Sequence, residues 1–124
     1  MKLSSGIDMI EIARIERAMM RHGDRFFRRF FTEQEIHFCQ GRPARLSGRF
    51  AVKEAVAKAL GTGIGEFNWI DIEVVCDGLG KPELVLHNTA RDTASAQGLV
   101  QWSISISHTE THAIGLAVAI GEQV

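Results

Sequence analysis

The chain has 124 residues, 45% of them hydrophobic, and a formal net charge of −1 at pH 7. This length predicts one compact domain over residues 1–124, and the near-zero charge excludes a general electrostatic binder of nucleic acid. The longest apolar run, residues 113–120, is strand-sized and too short to span a membrane. The two cysteines form no C-x-x-C pair and the chain has no signal-like start, so we expect a cytoplasmic protein.

The chain begins with a pattern that is typical of a strand. Ile10 and Ile12 alternate with Glu11, which predicts a strand within residues 3–12. The apolar spacing then becomes helical as far as about His22, where a Gly-Asp pair predicts a break. We therefore expect a strand that leads directly into a first helix.

Two short helical segments and one long helix are predicted next. The first segment carries four phenylalanines within residues 26–31. Thr32 and Glu35 have the spacing of a capping box, so a second short helix is predicted to begin there. Residues 44–60 have the longest helical pattern, and Gly61 provides a left-handed stop.

The region after this helix predicts a strand, a turn, a second strand and a helix. Residues 69–75 alternate apolar side chains with Asp71 and Glu73, which indicates a strand with one face in water. Residues 82–86 predict the second strand, and Asn88 is expected to cap a helix that ends near residue 97.

Two further strands complete the fold prediction. Residues 102–108 alternate isoleucine with serine, residues 112–120 are small and apolar, and three residues join them. These features predict an antiparallel pair. The expected class is α+β, with a mostly antiparallel sheet packed on the long helix.

Asp8 and Glu54 are candidate metal ligands because both lie in otherwise apolar segments. Brought together, two carboxylates could hold Mg²⁺, which favours oxygen ligands. The spacing also allows Asp8 to end a surface strand while Glu54 pairs with Lys58 one turn later. Lys53 and Lys58 are expected on the polar face of the helix, and Lys58 is placed to bind phosphate oxygens.

Two other segments admit a structural and a functional interpretation. The glycine-rich loop that contains Gly63 follows a helix, which favours a flexible turn over a nucleotide loop, although its backbone can approach a ligand. His108 ends a strand, where an edge residue and a substrate contact are both open. The five histidines have no spacing that indicates a metal site.

Arginines on the first predicted helix form a basic stripe. Arg14, Arg17 and Arg21 share one face, which fits an acidic partner helix or an ordinary solvated surface.

Taken in order, these segments resemble the small holo-acyl-carrier-protein synthase family of 4′-phosphopantetheinyl transferases. The resemblance spans the whole chain and rests on residues 6–12, on residues 49–58 with the loop that follows, and on residues 71–74, 80–82 and 105–108. It implies a 4′-phosphopantetheinyl transferase-like fold, a homotrimer with sites between subunits, and transfer of 4′-phosphopantetheine from coenzyme A to a serine of apo-acyl carrier protein.

The resemblance also implies roles for individual residues. Asp8 and Glu54 would bind Mg²⁺ with the pyrophosphate of coenzyme A, and Lys58 would steady the phosphate. The predicted catalytic residues are thus Glu54 and Lys58, with Glu54 or a water that it orients as the base.

The remaining implied contacts concern the two substrates. Coenzyme A would contact Arg49, Lys58, Gly63 and His108, and the acidic carrier protein would contact Arg14 and Arg21. Two other functions stay open at this point: a Mg²⁺-dependent nucleotide hydrolase, which needs no protein acceptor, and a carrier-binding module without catalysis.

Overall fold

The computed structural model describes residues 1–122; residues 123 and 124, the end of the predicted domain, lie outside the described residues. The α-helices of this part run over Ile12–His22 (α1), Asp24–Phe30 (α2), Glu33–Cys39 (α3), Pro43–Leu60 (α4) and Asn88–Ala96 (α5). The strands run over Lys2–Glu11 (β1), Ile72–Cys76 (β2), Pro82–Leu86 (β3), Leu99–His108 (β4) and His112–Gly121 (β5). None of the described helices has the length and apolar character that crossing a membrane requires.

An antiparallel sheet of order β1-β5-β4 forms one layer of the domain, and α4 packs across β1 and β5. A separate antiparallel hairpin pairs β2 with β3. The predicted α+β class, with antiparallel strands packed on a long helix, is confirmed. The predicted capping box at Thr32 and the left-handed stop at Gly61 are also present.

Glycines let α4 lie directly against the sheet backbone. A Cβ atom on Gly6 of β1 would stand 1.9 Å from the carbonyl oxygen of Ala55, and one on Gly115 of β5 would stand 2.4 Å from the amide nitrogen of Val52. Any larger side chain at these two positions would push the helix away. The two glycines therefore set the distance between α4 and the sheet.

The opposite face of this sheet is apolar and open. Leu3, Ile7 and Met9 of β1 are between 59% and 69% exposed, and Ile114 and Leu116 of β5 continue the patch at 36% and 37%. Monomeric soluble proteins rarely expose so continuous an apolar surface.

The prediction of one strand over residues 69–75 with a face in water was wrong in two respects. Residues Trp69–Asp71 form a 3₁₀ turn, and the strand begins at Ile72. Asp71 and Glu73 are buried. Alternation between apolar and charged residues does not distinguish a wet face from buried carboxylates whose partners lie far away in the sequence.

Those distant partners satisfy both carboxylates. Asp71 accepts a 3.0 Å hydrogen bond from the side chain of Asn88, and Glu73 accepts a 2.5 Å bond from the hydroxyl of Thr32. The imidazole of His87 lies 3.0 Å from the other oxygen of Glu73. Asn88 is the first residue of α5 and has a φ of 51°. The prediction that Asn88 caps this helix was therefore wrong.

Lys53 is fully buried, contrary to the expected position on a polar face. Its ammonium group lies 2.8 Å from Oε1 of Glu35 and also donates to the carbonyl oxygens of Trp69 and Ile72. Burial lowers the pKa of Lys53, and the charge of Glu35 opposes that shift. Glu35 further accepts from the backbone of Val74, so this ion pair joins α4, α3 and β2.

Candidate active site

Asp8 and Glu54 face the same cleft between β1 and α4, with a volume of about 500 Å³. Asp8 lies two residues beyond Gly6 on β1 and pairs in register with Gly115 of β5. Because both glycines allow α4 to approach the sheet closely, the helix brings Glu54 beside Asp8. The close packing of small residues is thus the structural cause of the carboxylate pair.

Lys58 closes one side of this pair. Its ammonium group donates to Oδ1 of Asp8 at 3.1 Å and to the carbonyl oxygen of Ile7 at 2.9 Å. The alternative in which Asp8 merely ends a surface strand and Glu54 pairs with Lys58 is wrong, since Asp8 lies inside β1 and Lys58 forms its ion pair with Asp8. The lysine side chain is half-exposed and remains accessible to an anionic ligand.

The electrostatics of the pair favour an added cation. Burial raises the pKa of Glu54 and the nearby charge of Asp8 raises it further, while the charge of Lys58 opposes both effects. A divalent cation would relieve this repulsion, and two carboxylates are the oxygen donors that Mg²⁺ prefers. Within residues 1–122 no group of three histidines, cysteines or carboxylates is placed to hold a metal, so other ligands would come from water and substrate.

The remaining lining of the cleft combines aliphatic side chains with basic and aromatic ones. It includes Arg14, His22, Arg29, Phe26, Phe30 and Phe50. Of these, only Arg14 was singled out from the sequence as a site residue. Phe26 and Phe30 contributed only to the prediction of a helical segment, and their i, i+4 spacing places them on one face of that helix.

The aromatic side chains are held in one connected cluster beside the carboxylates. Phe50 stacks on Trp69 with ring centroids 4.6 Å apart and an interplanar angle of 22°, and Phe30 contacts both rings. Phe26, Phe30 and Phe50 of this cluster form an apolar part of the cleft wall.

The predicted carrier-binding arginines occupy different positions on α1. Arg14 lines the cleft itself, whereas Arg21 lies exposed in the last turn of the helix. The basic stripe therefore begins at the carboxylates and runs away from them along the surface.

The structure does not bring the three other predicted coenzyme-binding residues into this cleft. Arg49 lies on another side of α4 and is 6% exposed, and Gly63 lies in the exposed loop after the helix with φ 71°. His108, at the end of β4, borders a separate depression with Ile12 and Pro43. Within one chain these residues form no common site with Asp8.

Two carboxylates in one cleft, with a lysine bonded to one of them, fit an enzyme that transfers phosphorus-containing groups. A family model described as the 4′-phosphopantetheinyl transferase superfamily matches residues 4–117. The chain belongs to this superfamily, and the family and enzyme class predicted from the sequence are confirmed.

Curated relatives and solved structures agree with this assignment. The chain is 46% identical over 123 residues to the holo-[acyl-carrier-protein] synthase of Moorella thermoacetica, covering 97% of this chain and 94% of the relative. It is 48% identical over 117 residues to that of Alkaliphilus metalliredigens, covering 92% and 95%. The crystal structure of Helicobacter pylori holo-[acyl-carrier-protein] synthase in complex with coenzyme A is similar with a TM-score of 0.86 and 34% identity, covering 94% of this chain and 99% of that one.

Proposed function

We propose that this chain transfers 4′-phosphopantetheine from coenzyme A to a serine of apo-acyl carrier protein, with Mg²⁺ as the cofactor. The products are holo-acyl carrier protein and adenosine 3′,5′-bisphosphate. The observation that carries the proposal is the meeting of Asp8 and Glu54 in one cleft, in a chain of this superfamily.

Asp8 and Glu54 would hold the metal ion through their carboxylates. When bound, Mg²⁺ supplies positive charge to the pyrophosphate oxygens of coenzyme A. Lys58 is positioned beside Asp8 to contact oxygens of the same pyrophosphate. A cation at this place stabilises the charge that develops on the phosphoryl group.

The reaction itself is an in-line displacement at the β-phosphorus of coenzyme A. The serine oxygen forms the new P–O bond while the bond to the bridging oxygen of the leaving bisphosphate breaks. Glu54 accepts the serine proton, either directly or through a water molecule that it orients.

The substrates would contact residues on several elements. Arg14 and Arg21 on α1 would receive the acidic carrier protein, and Arg14 also lines the cleft that contains Asp8 and Glu54. The nucleotide of coenzyme A would be held by Arg49, Gly63 and His108. Because these three residues lie outside the cleft of their own chain, we propose that one site combines residues of two subunits.

A homotrimer in the cytoplasm is the form that we propose for the enzyme. The open apolar face of β1 and β5 supports self-association, since its side chains lose exposed surface when a second copy covers them. Equilibrium sedimentation of the purified chain measures the oligomeric state directly.

The central test is intact-mass measurement of apo-acyl carrier protein incubated with this chain, coenzyme A and Mg²⁺, beside an EDTA control. We expect one phosphopantetheine added per carrier and none after chelation. Breakdown of coenzyme A without carrier protein would instead indicate a nucleotide hydrolase. Carrier binding that is equally strong with and without Mg²⁺, and that leads to no turnover, would indicate a binding module.

Matched variants test the site. Asp8→Asn and Glu54→Gln should each lower turnover by about 100-fold or more without unfolding, because each replaces a charged metal ligand with a neutral amide of the same size. Glu83→Gln changes an exposed carboxylate of β3 and should leave turnover unchanged. Full Mg²⁺-dependent activity in both site variants would overturn the metal assignment.

The carrier surface is tested separately. Arg14→Ala and Arg21→Ala should raise the KM for carrier protein, most strongly at low salt, while Arg91→Ala on α5 should not. A KM that is equal in all three variants at every salt concentration would contradict the docking assignment.

A further inference from the structure

Arg49 holds an unusual position for a charged side chain. It is 6% exposed, and its guanidinium carbon lies 4.4 Å from the centroid of the Phe38 ring. One terminal nitrogen donates to the carbonyl oxygen of Arg45 at 3.3 Å, and the other donates to the sulfur of Cys76 at 3.2 Å. The thiol is thus the one side-chain acceptor that the described part of the chain offers this cation.

The charge of Arg49 is not balanced within residues 1–122. No carboxylate of that range lies within 4.0 Å of its nitrogens, and its buried Nε atom has no hydrogen-bond partner. A buried cation without a counter-ion is costly unless its N–H groups find acceptors. The sulfur of Cys76 accepts one of these hydrogen bonds.

Cys76 is also accessible from outside. It is half-buried and lines a cleft of about 590 Å³ between α3 and β2, together with Phe38, Glu33 and Asp77. The second cysteine differs in every respect: Cys39 is fully buried, and burial raises the pKa of its thiol to about 11. One thiol is therefore open and in contact with a cation, and the other is closed and neutral.

We propose that Cys76 is a thiol-modification site that reacts with small disulfides and that its modification weakens the binding of coenzyme A by Arg49. In the reaction the Cys76 sulfur gives up its proton to buffer and attacks one sulfur of the disulfide. A new S–S bond forms to Cys76, the S–S bond of the reagent breaks, and its other half leaves as a thiolate. The guanidinium of Arg49 donates a hydrogen bond to the attacking sulfur and orients it.

The second half of the inference rests on the proposed binding of coenzyme A by Arg49. A sulfur in a disulfide carries no negative charge and accepts hydrogen bonds poorly, so the adduct removes the acceptor of Arg49. The added group also occupies the space beside Phe38. The adduct therefore displaces the guanidinium from its place beside Phe38, and the loss of its proposed charged hydrogen bond to coenzyme A should weaken coenzyme A binding by about tenfold.

The reagent for the test is bis(2-hydroxyethyl) disulfide, because the carboxylates of Glu33 and Asp77 in the cleft would repel an anionic disulfide. Intact mass and peptide mapping are expected to show one adduct, on Cys76 and not on Cys39. Calorimetric titration of the modified protein with coenzyme A gives the change in affinity, and dithiothreitol should restore the original value.

Two variants separate the proposal from general damage. Cys76→Ser should form no adduct and should bind coenzyme A equally well with and without reagent. Arg49→Lys should slow the exchange at Cys76 by about threefold or more, since an ammonium group at this place cannot reach the sulfur as a planar guanidinium does. Unfolding would instead expose both thiols and give two adducts.

The outcomes are distinct. A first adduct on Cys39, or equal exchange rates in the wild type and Arg49→Lys, would overturn Cys76 as the reactive thiol. A Cys76 adduct with unchanged affinity for coenzyme A would overturn its effect on binding and leave the transferase activity intact. Absence of transferase activity in the fully reduced protein would count against the proposed function and not against the thiol site.

Discussion

Replacing Gly6 with alanine should disrupt the active cleft from a position that touches neither substrate nor metal. The new Cβ atom would stand 1.9 Å from the carbonyl oxygen of Ala55 and 2.9 Å from the amide nitrogen of Ala59, both atoms of the α4 backbone. Backbone atoms cannot rotate away, so α4 and β1 must separate by about 1 Å or more, at a cost of about 1–3 kcal/mol. The free energy of unfolding should fall by that amount.

The effect on turnover should exceed the effect on folding. Asp8 moves with β1 and Glu54 moves with α4, so the separation opens the distance between their carboxylates. A misplacement of about 1 Å can lower a rate by about 100-fold. Transfer to apo-acyl carrier protein, followed by intact mass, measures the rate, and urea denaturation measures stability.

Gly78→Ala provides the matched control for this variant. A Cβ on Gly78 would meet no described atom within 4 Å, and its φ lies outside the left-handed region. It should therefore retain both stability and turnover. If the Gly6 variant unfolded at the same urea concentration as wild type and turned over at the same rate, the assignment of Gly6 as the spacer of the carboxylate pair would be wrong.

Three further outcomes follow from the charged groups. Lys53→Met should lower the free energy of unfolding by about 3–5 kcal/mol in urea titrations, because it leaves Glu35 buried without its cation. The double variant with Glu35→Gln should recover part of that loss, because it removes the buried charge and keeps an acceptor oxygen for the backbone; a double variant as unstable as the single one would contradict this account. Because the pKa of Glu54 is raised, acidification protonates its carboxylate at a higher pH than that of an ordinary glutamate. The affinity for metal should therefore begin to fall at this higher pH. Asp8→Asn should lower this pKa and Lys58→Gln should raise it in carbon-13 titrations, and shifts of the reverse sign would refute the assigned causes.

Local sequence patterns were sufficient for most of the secondary structure. The capping box at Thr32, the glycine stop at Gly61 and the serine–isoleucine alternation of β4 each act within a few residues, so their outcome was predictable. The errors fell on Asp71 and Asn88. Their side chains bond to each other across the 3₁₀ turn and α5, and no local pattern encodes that contact.

The sequence predicted Asp8 and Glu54 individually as site residues, but it could not predict that their side chains meet. Residue types and resemblance pointed to Asp8 and Glu54, yet their meeting depends on how closely α4 approaches the sheet. The buried position of Lys53 was missed for a related reason. A lysine beside a glutamate on a helix normally faces water, and only the tertiary fold brings Glu35 to its ammonium group.

The order of strands in the main sheet constrains how the chain can assemble during synthesis. The central strand, β5, is the last of the described strands to leave the ribosome, while its neighbour β1 leaves first. Until His112–Gly121 emerges, β1 has no hydrogen-bonding partner in the sheet and α4 lacks the β5 part of the surface on which it packs. Folding of this layer must therefore wait for β5, and the nascent chain keeps apolar segments uncovered that a chaperone would recognise.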